Sequence, residues 1–444
     1  MLKLFRPAAA IPRLSATAIA TRYPWWRIRM FMVAYIGYFT YYFGRSSFDV
    51  SKQYLHLSPQ SLGLIGSALG IAYGLSKFFM GNISDRSNAK YFLASGLFIS
   101  GIINLLLPTF LGLGVSLLLM LMFLNGWVQG MGWPACGRIM THWFSDAERG
   151  TKMGIWNTAH NVGAATLAVA IVPIGLKLFA GDWHGLFYVS GILCIVIAVA
   201  IIIWGADTPQ SVGLPPIEEY TGIYPDKKVE HDIKDREQEL SAKTIFMNYV
   251  LNNPWIWTIG IANAFVYCVR YGLLSWSSYY LVQVKGFSPL TGLWGFALFE
   301  LPAIFGTVII GWLSDTLFHG RRAPISVICM ALTGGLIFVY WQSSSPVVLL
   351  SCLALMGTLI YGPVALIGIL ALDLAPKKAA GTAAGFTGLF GYFFGTVAAQ
   401  AVIGIIATHL GWNQVFIFLI SCCILAVILL AACWNLHDRS HQQH

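Results

Sequence analysis

The sequence predicts an all-α membrane protein of twelve transmembrane helices, arranged as two six-helix halves with both termini in the cytoplasm. Three observations predict it. The composition is the first: of 444 residues, 57% are hydrophobic and only 10% charged, whereas a soluble domain carries roughly 25% charged residues. Mean hydropathy is +0.69. The second is local. Tyr91 to Phe110 and Ile417 to Ala432 contain almost no ionisable side chain, and a hydrocarbon core needs about 20 residues of helix. The third is that the two halves repeat one another.

Taken in order, residues 1–27 hold Lys3, Arg6, Arg13, Arg22 and Arg27, with Pro7 and Pro12 interrupting a weakly apolar stretch that has no signal-type apolar core. They are expected to form a cytoplasmic tail. A first half, 28–205, places helices at 28–50, 62–82, 91–110, 114–138, 151–177 and 186–205. Residues 206–252 then break the pattern with Pro209, Pro215, Pro216, Pro225 and a charged run from Asp226 to Glu237, the composition of a cytoplasmic linker. A second half, 253–435, places helices at 254–283, 290–316, 323–342, 347–371, 380–407 and 412–435, and residues 436–444 are a second cytoplasmic tail. Most Lys and Arg residues fall in the tails, the linker and the inward loops, while Lys52, Lys177 and Lys285 are assigned to outward loops. Arg45, Lys77 and Arg270 remain within or at the ends of membrane helices.

The repeat lies at offsets of about 225 to 231 residues and recurs three times in one order. Tyr42-Phe-Gly-Arg45 matches Tyr267-Cys-Val-Arg270. Gly81-Asn-Ile-Ser-Asp85-Arg86 matches Gly311-Trp-Leu-Ser-Asp315, followed by Arg321 and Arg322. Gly150-Thr-Lys-Met-Gly154 matches Gly381-Thr-Ala-Ala-Gly385. Two parallel six-helix halves with a Gly-x-x-x-Asp-Arg signature resemble the major facilitator superfamily, whose members bind substrate near the midplane between the halves. Asp85, Arg86, Asp315 and Arg321 are then candidates for charge pairs that gate closure, or are a topology signal alone.

An arginine inside a membrane helix costs at least several kcal/mol and persists where it faces a cavity or a partner. Arg45 and Arg270 occupy equivalent positions in the two halves. Arg270 has no carboxylate within a turn of its own helix; Arg45 has Asp49 four residues on, so a local ion pair is open for that one residue. The simplest counter-charge for the pair is a bound anion. A guanidinium fork matches two phosphate oxygens, and two forks bracket a dianion. Lys77, with Tyr73 four residues before it, adds a third cation. Tyr38, Tyr42, Tyr267, Tyr361 and Tyr392 offer hydroxyls at helical spacing, or serve as core aromatics. Trp156-Asn157-Thr-Ala-His160-Asn161 puts polar groups in an apolar span, and the pKa of His160, near 6.5 when unperturbed, is close to that of a phosphate ester. Glu300 is the carboxylate placed well within a span and joins the candidates for a gating or conformational role. Embedded acids are scarce, which favours anion exchange over proton symport; Glu300 with His160 keeps proton coupling as the alternative.

The same residues exclude other classes. Eight scattered cysteines form no Cys-x-x-Cys or Cys/His cluster, so neither metal nor disulfide is expected. Without a nucleophile and base pair or a phosphate-cradling Walker loop, the chain reads as no enzyme, with no cofactor and no nucleic-acid partner.

Tyr73-Gly-Leu-Ser-Lys77, Gln129-Gly-Met-Gly-Trp133-Pro-Ala-Cys-Gly-Arg138, Trp156-Asn-Thr-Ala-His160-Asn-Val-Gly163, Tyr267-Cys-Val-Arg270-Tyr-Gly and Ala375-Pro-Lys-Lys through Tyr392 resemble the organophosphate:phosphate antiporters over nearly the whole chain. The last stretch is most like the glycerol-3-phosphate branch. That resemblance implies uptake of an organic phosphate in exchange for inorganic phosphate across a bacterial inner membrane, by a monomeric multi-pass carrier. It implies that Arg45 and Arg270 bind phosphate, with Lys77, His160, Tyr38, Tyr42, Tyr267, Tyr361 and Tyr392 in or near the cavity. Hexose-phosphate and phosphoglycerate carriers, and membrane sensors of hexose phosphate, share most of these motifs. Ser46 and Ser275 depart from the glycerol-3-phosphate branch, which has a basic residue and an Asp there.

Overall fold

The computed structural model describes residues 5–110, 114–222, 247, 250–374 and 380–436. Among them, twelve long helices follow in order: α1 Ala16–Ser51, α2 Pro59–Asp85, α3 Ala89–Phe110, α4 Val115–Trp143, α5 Ala147–Leu178, α6 His184–Trp204, α7 Pro254–Val284, α8 Pro289–Thr316, α9 Arg322–Gln342, α10 Pro346–Asp373, α11 Thr382–His409 and α12 Trp412–Ala432. Ten of them, α3 to α12, are long and apolar enough to span a bilayer, and α2 is an eleventh when its two parts, bent by 45°, are taken as one span. The twelfth, α1, has the length: its 36 residues extend about 54 Å at 1.5 Å per residue. It falls short in apolarity because Tyr38, Thr40, Tyr41, Tyr42, Arg45, Ser46 and Ser47 dilute its deeper half.

Several helices are interrupted where polar residues gather. Pro302 follows Glu300 and divides α8, because proline supplies no amide donor to the preceding turn. A π turn at Leu167–Ile171 follows the His160 segment of α5, and α11 carries π turns at Phe390–Thr396 and Ala398–Val402. Such bulges are frequent at functional sites.

The chain forms two compact units. Unit 1 comprises Met1–Ser47 and Ala72–Glu237; unit 2 comprises Phe48–Ile71 and Gln238–His444. The boundary differs in one respect from two sequential halves: the hairpin joining α1 to α2 belongs to unit 2. It is fastened there by small residues. A Cβ on Gly63 would collide with the Gln400 carbonyl of α11, one on Gly404 with the Pro59 carbonyl, and one on Gly66 would lie 2.6 Å from Gln400 Oε1. Backbones this close leave no room for a methyl group. Gly63→Val should therefore lower the melting temperature of the purified protein, through an overpacking cost of about 2 kcal/mol or more; an unchanged melting temperature would show that the seam is loose.

In unit 1, α1 begins at Ala16, inside the stretch expected as tail. Preceding residues pair with the start of the expected linker: Ile11 N donates to Gln210 O at 3.1 Å and Leu14 N to Gly213 O at 3.0 Å. Asp207, 1% exposed, accepts from Ala8 N at 3.0 Å and Ala89 N at 2.9 Å, capping α3. Tyr23 stacks on Tyr220 with centroids 3.9 Å apart and donates to Pro215 O. The first part of the linker is thus packed; its charged run, and Lys377 and Lys378, lie outside the described residues. All eight cysteines are buried, in line with their reading as small apolar residues.

Candidate functional site

Unit 1 gathers its site around Arg45, on α1. The guanidinium carbon lies 3.9 Å from the centre of the Tyr73 ring and 5.5 Å from that of Tyr42, a geometry in which the ring faces favour the cation. Arg45 is 9% exposed. Tyr38 packs its ring 5.7 Å from Tyr42 and 4.8 Å from Trp156, and Tyr42 stands 5.5 Å from His160. The close approach of α5 to α1 makes these pairs possible: Gly163 of α5 abuts the Phe39 carbonyl, where a Cβ would clash. His160 Nδ1 donates to the carbonyl of Asn157. A carbonyl only accepts, so this contact requires a proton on Nδ1. Asn157 itself is exposed, while Trp156 is fully buried and spends its indole N–H on Ala34 O at 3.2 Å. Lys77 Nζ lies 5.6 Å from the Trp133 ring centre.

Behind Arg45 is a polar cluster that the sequence reading missed. Asn104 of α3 and Asn125 of α4 both donate to Gly44 O, at 3.1 and 2.9 Å, and Gln129 donates to Tyr41 O at 3.1 Å. Ser47 Oγ and Ser100 Oγ donate to the Asn104 and Asn125 side-chain oxygens at 2.6 and 2.7 Å. Carbonyls of α1 beside the arginine are thereby held by three amide side chains, which fixes the turn that carries it. The available signal was an amide inside an otherwise apolar run.

Unit 2 gathers its site around Arg270, on α7, which is 5% exposed. Arg270 Nη2 donates to the Tyr361 hydroxyl at 2.7 Å, and that hydroxyl lies 2.8 Å from both Glu300 carboxylate oxygens, to which it donates. Arg270 thus reaches its acid through a tyrosine, not along its own helix. The relay depends on α8 and α10 touching: Gly357, one turn before Tyr361, packs against the Phe299 carbonyl. The guanidinium also lies over Tyr361 at 4.3 Å, Tyr271 at 4.8 Å and Tyr267 at 5.7 Å. Tyr392 of α11 stands 5.2 Å from Tyr267, again across a glycine contact, Gly395 against Ala264 O. Arg270 Nε is buried without a hydrogen-bond partner among the described residues. An unpaired buried N–H of a cation is costly, and one further oxygen would satisfy it.

The expected charge pairs sit elsewhere. Asp315 pairs with Arg322, whose Nε is 3.9 Å from Asp373 Oδ2, while Arg321 Nε donates to the Phe318 carbonyl at 3.4 Å. In unit 1 Arg138 donates to the Asp85 carbonyl and its Nε lies 3.5 Å from Asp207 Oδ1, and Arg86 is exposed. Arg322 thus stands in the position anticipated for Arg321 as partner of Asp315, whereas Arg138 meets Asp85 only through its backbone carbonyl and has Asp207 as its carboxylate.

Lys52, assigned to a loop, does lie in the turn between α1 and α2, but it is not exposed there. It is fully buried in unit 2, donating to Asp49 Oδ1 at 2.8 Å, Gln400 Oε1 at 2.7 Å and Ser275 O at 3.4 Å, with the Trp276 ring centre 4.5 Å away. Asp49 therefore serves Lys52.

Comparison with known proteins agrees with this architecture. Residues 30–399 match the family model of the Major Facilitator Superfamily. The chain is 47% identical to the glycerol-3-phosphate transporter of Bacillus subtilis (strain 168), with 99% of each chain covered. It is 38% identical to a probable hexose phosphate transport protein of Chlamydia trachomatis serovar D, covering 100% of this chain and 98% of the relative. A solved bacterial homolog of the human lysosomal transporter Spinster, inward-facing and occupied, superposes with a TM-score of 0.73 at 15% identity, covering 92% of this chain and 97% of that one, which shows the shared fold. This chain belongs to the Major Facilitator Superfamily and, within it, to the organophosphate:phosphate antiporter family of multi-pass membrane carriers.

Proposed function

We propose that the protein takes up an organic phosphate monoester, glycerol-3-phosphate first among candidates, in exchange for inorganic phosphate. The observation that carries this reading is the pair of buried membrane arginines at matched positions of the two halves, each set among tyrosines. Arg45 and Arg270 each supply a fork to the phosphate. The buried Nε of Arg270 is the donor that gains an acceptor, and Tyr361 with Glu300 keeps that guanidinium oriented. Lys77 adds charge; Tyr38, Tyr42, Tyr73, Tyr267 and Tyr392 line the path and offer hydroxyls; His160, with Asn157 and Trp156 behind it, supplies Nε2 as acceptor for a protonated phosphate oxygen or a glycerol hydroxyl.

Exchange follows from charge. Two guanidinium groups brought toward each other oppose closure, and a dianion that neutralises both permits it, so the empty carrier does not cycle. Asp85, Arg86, Asp315 and Arg321, with Arg138 and Arg322 beside them, belong to the gating layer on the side of the termini, which this reading places in the cytoplasm of a bacterial inner membrane. The working unit is a monomer.

The test is uptake of labelled phosphate into proteoliposomes preloaded with phosphate, in competition with glycerol-3-phosphate, glucose-6-phosphate and 3-phosphoglycerate. Glycerol-3-phosphate should compete best. Stronger competition by a hexose phosphate would reassign the cargo, and tight ester binding without any exchange would make the protein a sensor.

A further inference from the structure

A cavity of about 340 Å³ opens on unit 1 between α1 and α6, large enough for a small-molecule site. Its walls are Met32, Val33 and Ile36 from α1 and Ile197 and Ile201 from α6. At its mouth are Trp25 and Trp204, 55% and 60% exposed, and a single cation, Arg29. Tryptophans of this kind mark the level of the lipid headgroups. From Arg29 to Ile36 the groove descends along α1 by about 10 Å, at 1.5 Å per residue, away from the N-terminal tail.

Arg29 differs from its neighbours. Arg27 pairs with Glu148 and Arg13 with Glu219, but Arg29 meets no carboxylate among the described residues. Its guanidinium is instead held 4.4 Å from the Trp26 ring centre and 4.8 Å from that of Trp25. A second cation shares this end: the stem of Lys90 lies against Gly205, the residue after Trp204, and its Nζ is 4.8 Å from the Tyr91 ring centre. Lys90 likewise has no carboxylate partner among the described residues.

We propose that this groove binds one anionic phospholipid, with the phosphodiester on Arg29 and one acyl chain along Met32, Val33, Ile36, Ile197 and Ile201. Charge selects the headgroup. A phosphatidylcholine would bring its ammonium beside the two cations Arg29 and Lys90, and the tryptophan faces that would receive it already hold Arg29. A headgroup with no cation suffers neither penalty. The apolar walls select a lipid over a free phosphate ester, because the ester leaves them in contact with water.

The test is native mass spectrometry of the purified full chain in detergent with equimolar phosphatidylglycerol and phosphatidylcholine of identical acyl chains. The expected result is retention of one phosphatidylglycerol several-fold over phosphatidylcholine. Arg29→Gln should bring the two to parity, Arg29→Lys should keep most of the preference, and Ala200→Phe, which fills the groove from its α6 wall, where Ala200 lies, should lower retention of both. Melting temperatures in lipid-free detergent establish that each variant is folded. Equal retention by the wild type, or a preference that survives Arg29→Gln, overturns the proposal. So does displacement of the lipid by glycerophosphoglycerol at equal concentration, which would identify the ligand as a free phosphate ester.

Discussion

Arg270→Lys is expected to lower phosphate exchange about a hundredfold and to weaken phosphate binding by a similar factor, and Arg45→Lys to do nearly the same. The charge survives either change, so an effect of this size must come from geometry. Lysine presents one compact ammonium where arginine presents a planar fork. At position 270 the loss is compounded, because Nη2 currently meets the Tyr361 hydroxyl at 2.7 Å while Nε is buried without a partner. A single ammonium cannot serve both the tyrosine and two phosphate oxygens in those directions. Losing one buried charge-assisted partner costs about 3 kcal/mol, which is the hundredfold stated. The measurement is labelled phosphate exchange in proteoliposomes, with binding followed in detergent. Near-normal exchange by either lysine variant would refute the bracket. Loss of exchange with intact binding would move the role of that arginine from binding to closure.

Much of this arrangement was legible in the chain because the constraints on it are local. Most of the helices follow from the length of apolar runs, and the first differs because Tyr38, Thr40, Tyr41, Tyr42, Arg45, Ser46 and Ser47 interrupt its apolar sequence. The arginines stood out because a guanidinium in a membrane helix needs a reason. Contacts between helices distant in sequence were not legible. The Arg270, Tyr361 and Glu300 relay joins α7, α10 and α8, and depends on Gly357 approaching the Phe299 carbonyl, a proximity no periodicity encodes. Asn104, Asn125 and Gln129 read as isolated polar residues until their shared targets, the carbonyls of Gly44 and Tyr41, are known. Choosing between Arg321 and Arg322 as partner of Asp315 needed the turn geometry at Phe318 to Arg321. The burial of Lys52 was not legible for a related reason: Ser51-Lys52-Gln53-Tyr54 has loop composition and does form a turn, and only its packing into unit 2 buries it.

That burial leads to the second large effect. Asp49→Ala should destabilise the protein by about 3 kcal/mol, the usual cost of leaving a buried charge without its counter-ion. Lys52 is fully enclosed, so without Asp49 its ammonium keeps no carboxylate, only the Gln400 amide oxygen at 2.7 Å and the Ser275 carbonyl at 3.4 Å as acceptors, beside the Trp276 ring. Lys52→Met should cost less, because the Asp49 side chain is 19% exposed and reaches water once its partner is gone. In the double variant the stranded ammonium is absent, so it should melt above Asp49→Ala alone, and the coupling between the two positions is then measured directly. Thermal unfolding of the four proteins in one detergent gives the comparison. If Asp49→Ala and the double variant melt together, Lys52 is not held as a cation by Asp49. Gln400 accepts from Lys52 through Oε1 and donates through Nε2 to Ser275 Oγ at 2.9 Å and to Asp49 Oδ1 at 3.3 Å. The ion pair is therefore tied to α7 and α11 by the same α11 residue that Gly63 and Gly66 abut. Destabilisation in Asp49→Ala should accordingly be local, raising amide exchange first in the hairpin of residues 48–71 and before the rest of unit 2.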